Sequence, residues 1–293
     1  MADESASTMG GLAHWIPSMS LSRPGILHVV ATPIGHRDDI SARAVETLKR
    51  VKVIAAEDTR HTRPLLQHLG IDTPLVALHD HNERTAVDGL VERMRGGDDV
   101  ALVSDAGTPL ISDPGFRLVR AARAAGLRVS PVPGASAVVA ALSVAGLPSD
   151  RFIFEGFLSS KAGARRTRLN ELAGEPRTLI FYESSHRIVE SLEDMAAAFG
   201  ADREAVVARE LTKMFETVLD GSLASLVQRV TADPNQQKGE FVVMVAGREE
   251  GEDERLAEGL RVFAILKEEL PPAKAAKMAA AITGAPRKAL YGS

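Results

Sequence analysis

The feature that most limits what this chain can fold into is a series of short apolar segments. Each is closed by Gly, Pro, Asp or Ser and most are followed by a helix-like stretch. Ile26 to Ala31, Val51 to Ala56, Leu75 to Leu78, Val100 to Val103 and Val129 to Val132 are too short for helices and rich in β-branched residues, so they read as strands. Ser41 to Arg50, Thr62 to Leu69, Glu83 to Arg95, Pro114 to Ala125 and Ala137 to Ala145 read as helices, with Ser41 a plausible N-cap and Gly70, Gly96 and Gly126 as stops. Strict alternation of strand and helix predicts an α/β fold whose mostly parallel sheet is covered on both faces. Val100 to Val103 has no polar residue, as a strand buried on both sides requires.

Beyond a Gly146-to-Asp150 linker the pattern changes. Phe152 to Phe157, Thr178 to Tyr182, Ala205 to Arg209, Phe215 to Leu219 and Gly239 to Val245 read as strands, with helices over Lys161 to Leu172 and Ser185 to Phe199. Strands that follow one another without a helix predict a mixed sheet. A charged, Gly-containing linker then leads to two helices, Leu256 to Glu269 and Pro272 to Ile282, with a third opening near Thr283 to Lys288. This is a shortened helix-turn-helix pattern. The expected organisation is a leader over 1–24, an α/β domain over 25–147, a second over 148–248, and a helical tail over 255–293.

Composition removes several classes of function. The chain has no cysteine, which rules out disulfides, thiolate nucleophiles and Cys-based zinc sites and agrees with a cytoplasmic location. No apolar run reaches the length of a membrane span, and the leader opens with acids and lacks the apolar core of a signal peptide. A net charge of −4 and 4% aromatics argue against a polybasic or base-stacking binder as a whole, but not against local basic patches. Two such patches occur. Lys161, Arg165, Arg166 and Arg168 crowd one helix, and Lys274, Lys277, Arg287 and Lys288 lie in a tail with no acid after Glu269. A solvated face is the ordinary reading of such runs; neutralised RNA phosphates are the functional one.

Ligands of open α/β sheets bind beyond the carboxyl ends of the strands. That rule selects Thr32 to Gly35, Glu57 to Arg60, Ser104 to Pro109 and Pro133 to Ser136, which one rim would collect. Asp105 can accept from a ribose diol or an amine, Gly107 and Gly134 allow close backbone approach, and Ser136 opens a helix whose N–H groups suit an anion. Neither GxGxxG nor GxxxxGK[ST] is present, so nicotinamide and ATP enzymes of the usual kinds are disfavoured. The crowded run His79-Asp80-His81-Asn82-Glu83 lacks the spacing of a metal site, and nothing requires a metal. His36 and His186, near strand ends, could move protons.

Taken in order, the segments ATPIGHRDDIS, AEDTRHT, LHDHNE, VSDAGTPLISDPG, VPGASA, FEGFL, FYESSHRI, ARELTK and KGEFV resemble the small-subunit ribosomal RNA methyltransferases of the tetrapyrrole methylase superfamily, from about Ile26 to the C-terminus. The resemblance implies two α/β domains with S-adenosylmethionine between them. It implies methyl transfer to the ribose 2′-hydroxyl of cytidine 1402 of 16S rRNA, carried out on the small ribosomal subunit by a homodimer. Carried onto this sequence, it implies that Pro33, Asp105, Gly107, Thr108, Ser136, Ala137, Tyr182, Glu183 and Leu211 surround the cofactor. His36 departs from the pattern, since the family usually has Asn after Ile-Gly and related tetrapyrrole enzymes have Asp. A ribose hydroxyl needs a proton acceptor, and His36, Asp38, Glu57, Asp58 and His81 are all candidates. Arg60, Arg63, Lys161, Arg165, Arg166, Arg168, Lys274 and Lys277 are the candidates for RNA contact. The alternatives are a tetrapyrrole or protein methylase of the same fold, or a non-catalytic ribosome assembly factor. The basic tail favours a nucleic-acid target, and the presence of Asp105, Gly107 and Ser136 disfavours a decayed site.

Overall fold

The structure is a computed structural model that describes residues 23–78, 83–249 and 251–290. Most of the expected leader and the run 79–82, which includes the candidate His81, lie outside the described residues. The first sheet contains β1 (Ile26–Val30), β2 (Val53–Ala56), β3 (Leu75–Ala77), β4 (Val100–Val103) and β5 (Arg128–Val132), all parallel, in the order β3-β2-β4-β1-β5. Helices α1 (Ala42–Arg50), α2 (Thr59–His68), α3 (Glu83–Arg95) and α4 (Phe116–Ala124) form the connections. Successive strand residues face opposite sides. Val53, Ala55, Val100 and Leu102 join α3 and α4 in one core, while Ile54, Ala56, Ala101 and Val103 join α1 and α2 in the other.

The strand order fixes where a crevice opens. β1 leads through α1 toward β2 on one side, and β4 leads through α4 to β5 on the other. The neighbouring strands β1 and β4 therefore send their connections in opposite directions, and a gap forms at their carboxyl ends.

The second sheet contains β6 (Phe152–Phe157), β7 (Thr178–Ser184), β8 (Glu204–Arg209), β9 (Thr217–Ser222) and β10 (Glu240–Val245) in the order β6-β7-β10-β8-β9. Only β6 and β7 are parallel, so the sheet is mixed as expected. One face buries Leu179, Phe181, Val207 and Val243 under α6 (Ala162–Leu172), α7 (Ile188–Phe199) and α8 (Leu223–Ala232). The other face, with Ile180, Val206, Val242 and Met244, packs on Val138, Ala141 and Ala145 of α5 (Ala137–Val144) and the residue that ends it. Thus α5 follows the last strand of the first sheet and serves as a layer of the second, which clamps the two sheets together.

Several boundaries differ from the sequence reading for local reasons. α2 begins at Thr59, not Thr62, because the Asp58 side chain caps it by accepting from the Arg60 N–H at 2.8 Å. β9 begins at Thr217 because the preceding Glu210-to-Glu216 loop folds back, with Glu210 and Thr212 at φ of 50° and 63°. α8 was not expected, although Leu223, Leu226 and Val230 have helical spacing after the cap Ser222. α9 (Glu252–Glu269) and α10 (Pro272–Thr283) pair as expected, but the third tail helix is only a turn among the described residues. No helix among the described residues is long and apolar enough to cross a membrane.

The basic helix α6 corrects one expectation. Arg165, expected to contact RNA, is 2% exposed, and its Nε donates to Asp194 at 2.7 Å. Arg166 donates to the other oxygen of the same carboxylate at 2.7 Å. Burial would raise the Asp194 carboxyl, but the two guanidiniums outweigh it and hold it below the ordinary range. Removing one partner of a buried pair strands the other charge. Arg165→Ala should therefore cost about 3–5 kcal/mol in denaturant unfolding. Arg166→Ala, at an exposed guanidinium, should cost far less.

Candidate functional site

The crevice between β1 and β4 is closed at its floor by the backbone. Thr32 N–H donates to the Gly107 carbonyl at 2.9 Å, and Gly107 N–H donates back to the Thr32 carbonyl at 3.1 Å. The Thr32 hydroxyl adds a bond to the Ser104 carbonyl at 3.2 Å. Gly107 sits at φ +80°, and a Cβ there would lie 3.2 Å from the Ile34 side chain. Thr108 is fixed by donating its hydroxyl to the Ala135 carbonyl at 2.9 Å, which ties the loop after β4 to the loop after β5.

Above this floor lies a cavity of about 560 Å³ between the sheets. Its first-sheet wall contains Glu57, Asp105, Thr108, Asp113 and Ser136, and its second-sheet wall contains Tyr182, His186, Leu211, Lys213 and Glu240. Of the nine residues expected around a cofactor, eight line it and Pro33 does not; its neighbour Ile34 does. Asp105 stands at the centre of a second network. One of its oxygens accepts from the Asp58 N–H at 3.2 Å and the other lies 2.9 Å from His61 Nδ1. A carboxylate has about four acceptor positions, so lone pairs remain for a ligand.

Two expected ligands turn out to be partly structural. The Glu183 carboxylate is buried and directed away, accepting from Ser191 Oγ at 2.6 Å and pairing with Arg187 at 2.9 Å. Tyr182 accepts a backbone N–H from Val138, and burial pushes its phenol up to about 12. Its ring meets Phe154 and Phe157 edge-on, with centroids 4.9 and 5.4 Å away, as an aromatic wall.

The structure separates the proton-acceptor candidates. His36 is exposed outside the cavity wall, and its Nδ1 accepts the Asp38 N–H at 3.3 Å, so the basic lone pair of the neutral ring is occupied. Its own N–H donates to Thr212 Oγ1 at 3.0 Å. Together with Gly35, where a Cβ would meet Thr212 and Lys213 side-chain atoms at 2.6 Å, this strap joins the first loop to the second sheet. Asp38 is exposed and is not part of the cavity wall. Asp58 is held far below the usual carboxylate range by its side-chain bond to Arg60, which makes it a poor base. Glu57 lines this cavity and an adjoining one of about 470 Å³ that also contains Asp58, Arg60 and Asp105.

Sequence reasoning missed Asp113, Lys213 and His61. Burial pushes the Asp113 carboxyl up to about 6, opposed by a hydrogen bond with the Ser104 side chain and aided by the nearby Asp105. The available signal was the second turn, Ser112-Asp113-Pro114-Gly115, directly after the Asp105 loop. Among the described residues, no three His, Asp or Glu side chains converge as metal ligands. Of the candidate RNA contacts, Arg60, Arg63, Lys161, Lys274 and Lys277 are exposed, Arg60 while also paired with Asp58, whereas the half-exposed Arg168 is held by two acids, Glu155 and Glu171.

A two-sheet α/β molecule with a ligand crevice at its switch point matches the family described as Tetrapyrrole (Corrin/Porphyrin) Methylases over residues 27–227. Solved structures share the fold: uroporphyrin-III-C-methyltransferase from Thermus thermophilus has a TM-score of 0.53 at 20% identity, covering 76% of this chain and 94% of that one. Diphthine synthase has a TM-score of 0.56 at 18% identity, covering 76% and 90%. The tail matches the RsmI C-terminal HTH domain over residues 253–292. Ribosomal RNA small subunit methyltransferase I of Xylella fastidiosa (strain Temecula1) is 64% identical, covering 93% of this chain and 100% of its own. The protein of that name from Escherichia coli O157:H7 is 53% identical, covering 91% and 93%. The chain belongs to the ribosomal RNA small subunit methyltransferase I family of tetrapyrrole methylases.

Asp113 offers a test of the cavity's electrostatics. Because its folded pKa is raised, the burden on stability is absent below the unfolded value near 3.8 and complete above about 6. Asp113→Asn should leave the melting temperature nearly unchanged at pH 3.5 and raise it at pH 7.5. A scan of melting temperature against pH for both proteins checks the sign.

Proposed function

We propose that the chain transfers the methyl group of S-adenosylmethionine to the ribose 2′-hydroxyl of cytidine 1402 in 16S rRNA of the small ribosomal subunit. The observation that carries this reading is the cavity at the β1–β4 switch point, whose wall holds eight of the nine residues assigned to the cofactor by family likeness. The two relatives of that name described above are 64% and 53% identical to this chain.

The chemistry of the cavity suits that donor. Its volume lies within the roughly 300–1,000 Å³ typical of small-molecule sites. Ile34, Ala106, Ala137, Leu211 and Val242 offer apolar walls for a base. Glu57, Asp105, Asp113 and Glu240 outnumber Lys213 on the lining, which favours a cationic sulfonium and its ammonium group. When bound, the donor supplies an already electrophilic methyl carbon, so the protein's task is mostly placement. Asp105 and Thr108 on one wall and Tyr182 and Leu211 on the other would hold it. The strap between Gly35–His36 and Thr212 keeps the walls in register.

The RNA side differs in charge. Arg60, on α2, lines the adjoining cavity, Arg63 is exposed on the same helix, and Lys274 and Lys277 face outward on α10, in a segment with no acid after Glu269. These four, with Lys161, remain the candidates for phosphate contact. We assign the protein to the cytoplasm, where its substrate is found. We also expect a homodimer, because Phe116, Val139, Val144 and Phe152 leave apolar surface open to water. The domain limits 25–147, 148–248 and 255–293 remain our assignment.

The deciding experiment incubates the protein with labelled S-adenosylmethionine and, in parallel, small subunits lacking the methyl group, free 16S rRNA, or uroporphyrinogen. Label should enter the small subunits at one cytidine; label only in the porphyrin would overturn the reading. Asp105→Ala should weaken cofactor binding about 10- to 100-fold by calorimetry, as loss of a charge-assisted hydrogen bond does, while the protein stays folded. Lys274→Glu with Lys277→Glu should raise the half-saturating subunit concentration and flatten its salt dependence, leaving cofactor affinity as it was.

A further inference from the structure

Methyl transfer to a hydroxyl needs somewhere for the hydroxyl proton to go, and at the rim of the crevice one histidine, His61, is held against Asp105, which lines both cavities. His61 lies in the first turn of α2, which starts early because Asp58 caps it. Its Nδ1 is 2.9 Å from Asp105 Oδ2. Asp105 in turn is fixed by the Asp58 N–H and lines both the main cavity and the adjoining one. The His61 side chain is 72% exposed, so its far edge is open to a macromolecular substrate.

We infer that His61 accepts the 2′-hydroxyl proton during methyl transfer, with Asp105 as the residue that orients its ring. This rests on the function proposed above. An Asp that takes the Nδ1–H fixes the tautomer and leaves the Nε2 lone pair as the base. The ribose oxygen attacks the methyl carbon and an O–C bond forms. The C–S bond breaks with its electron pair going to sulfur, and the hydroxyl proton moves to Nε2. The resulting imidazolium is balanced by the Asp105 carboxylate and returns its proton to water.

The surrounding charges keep the base effective. The Asp105 hydrogen bond, then the Asp105 and Asp58 charges, raise His61 above the ordinary histidine value, and Arg60 opposes them. Glu57, on the strand end beside them, is the other acid lining both cavities. Two of the other candidates are already engaged. The His36 Nδ1 accepts a backbone N–H, and the Asp58 carboxylate is closed by Arg60.

The test compares wild type with His61→Gln in single-turnover methylation of unmethylated small subunits at saturating labelled S-adenosylmethionine, from pH 6 to 9. The wild-type rate should climb with pH as His61 loses its proton and then level off. His61→Gln should be about 10²- to 10⁴-fold slower, without that limb, and with cofactor affinity unchanged by calorimetry. A second readout needs no turnover. Nitrogen NMR of the ligand-free protein should show His61 protonated on Nδ1 when neutral and titrating above ordinary histidine, with the elevation lost in Asp105→Asn. His61→Gln retaining the rate and its pH limb, or losing only subunit affinity, would overturn the inference. A wild type that methylates no RNA would sink the proposed function as well, so the two failures are told apart.

Discussion

The paired hydrogen bonds between Thr32 and Gly107 are the constraint on which the site depends. They extend the β1–β4 contact beyond the last ladder residues and bring two loops together where the connections of the sheet diverge. Gly107 reaches φ +80° there with little hindrance, and its carbonyl also receives the Thr32 hydroxyl. With that floor fixed, Asp105 and Ile34 both come to line the cavity above it. The Thr108 bond to Ala135 then carries the same rigidity to the start of α5. Because α5 is buried against the second sheet, the opposite wall of the cavity is held by the chain that builds the first.

Much of this could be read in the sequence. The parallel sheet followed from apolar runs closed by turn residues, and the rim followed from the rule that ligands gather at strand ends. Less of the side-chain chemistry could. Arg165 and Lys161 look alike in a basic helix, but one is buried on Asp194 and the other is exposed, because a carboxylate from α7 approaches only one face of α6. Glu183 follows Tyr182 in a segment tied to the cofactor by likeness, yet its carboxylate belongs to Ser191 and Arg187. His61 is not legible as a site residue in the sequence, where the helical pattern of α2 begins one residue after it. The early cap is a hydrogen bond, and only the fold shows that Asp105, 44 residues away, meets it.

The arrangement divides labour by charge over short distances. Carboxylates dominate the enclosed lining, whereas the helix and tail that face outward carry the exposed cations. The net charge of −4 hides this division, because it argues only against a binder that is polybasic as a whole. The enclosed lining and the outward-facing cations therefore present opposite charge to a small cationic ligand and to a large polyanion.

The acidic lining also bears on turnover. A sulfonium donor becomes a neutral thioether once its methyl group has left, while Glu57, Asp105, Asp113 and Glu240 keep their places. Part of the attraction that held the donor then disappears with the reaction itself. The fixed charges of the wall thus hold the donor by one attraction that the spent molecule lacks.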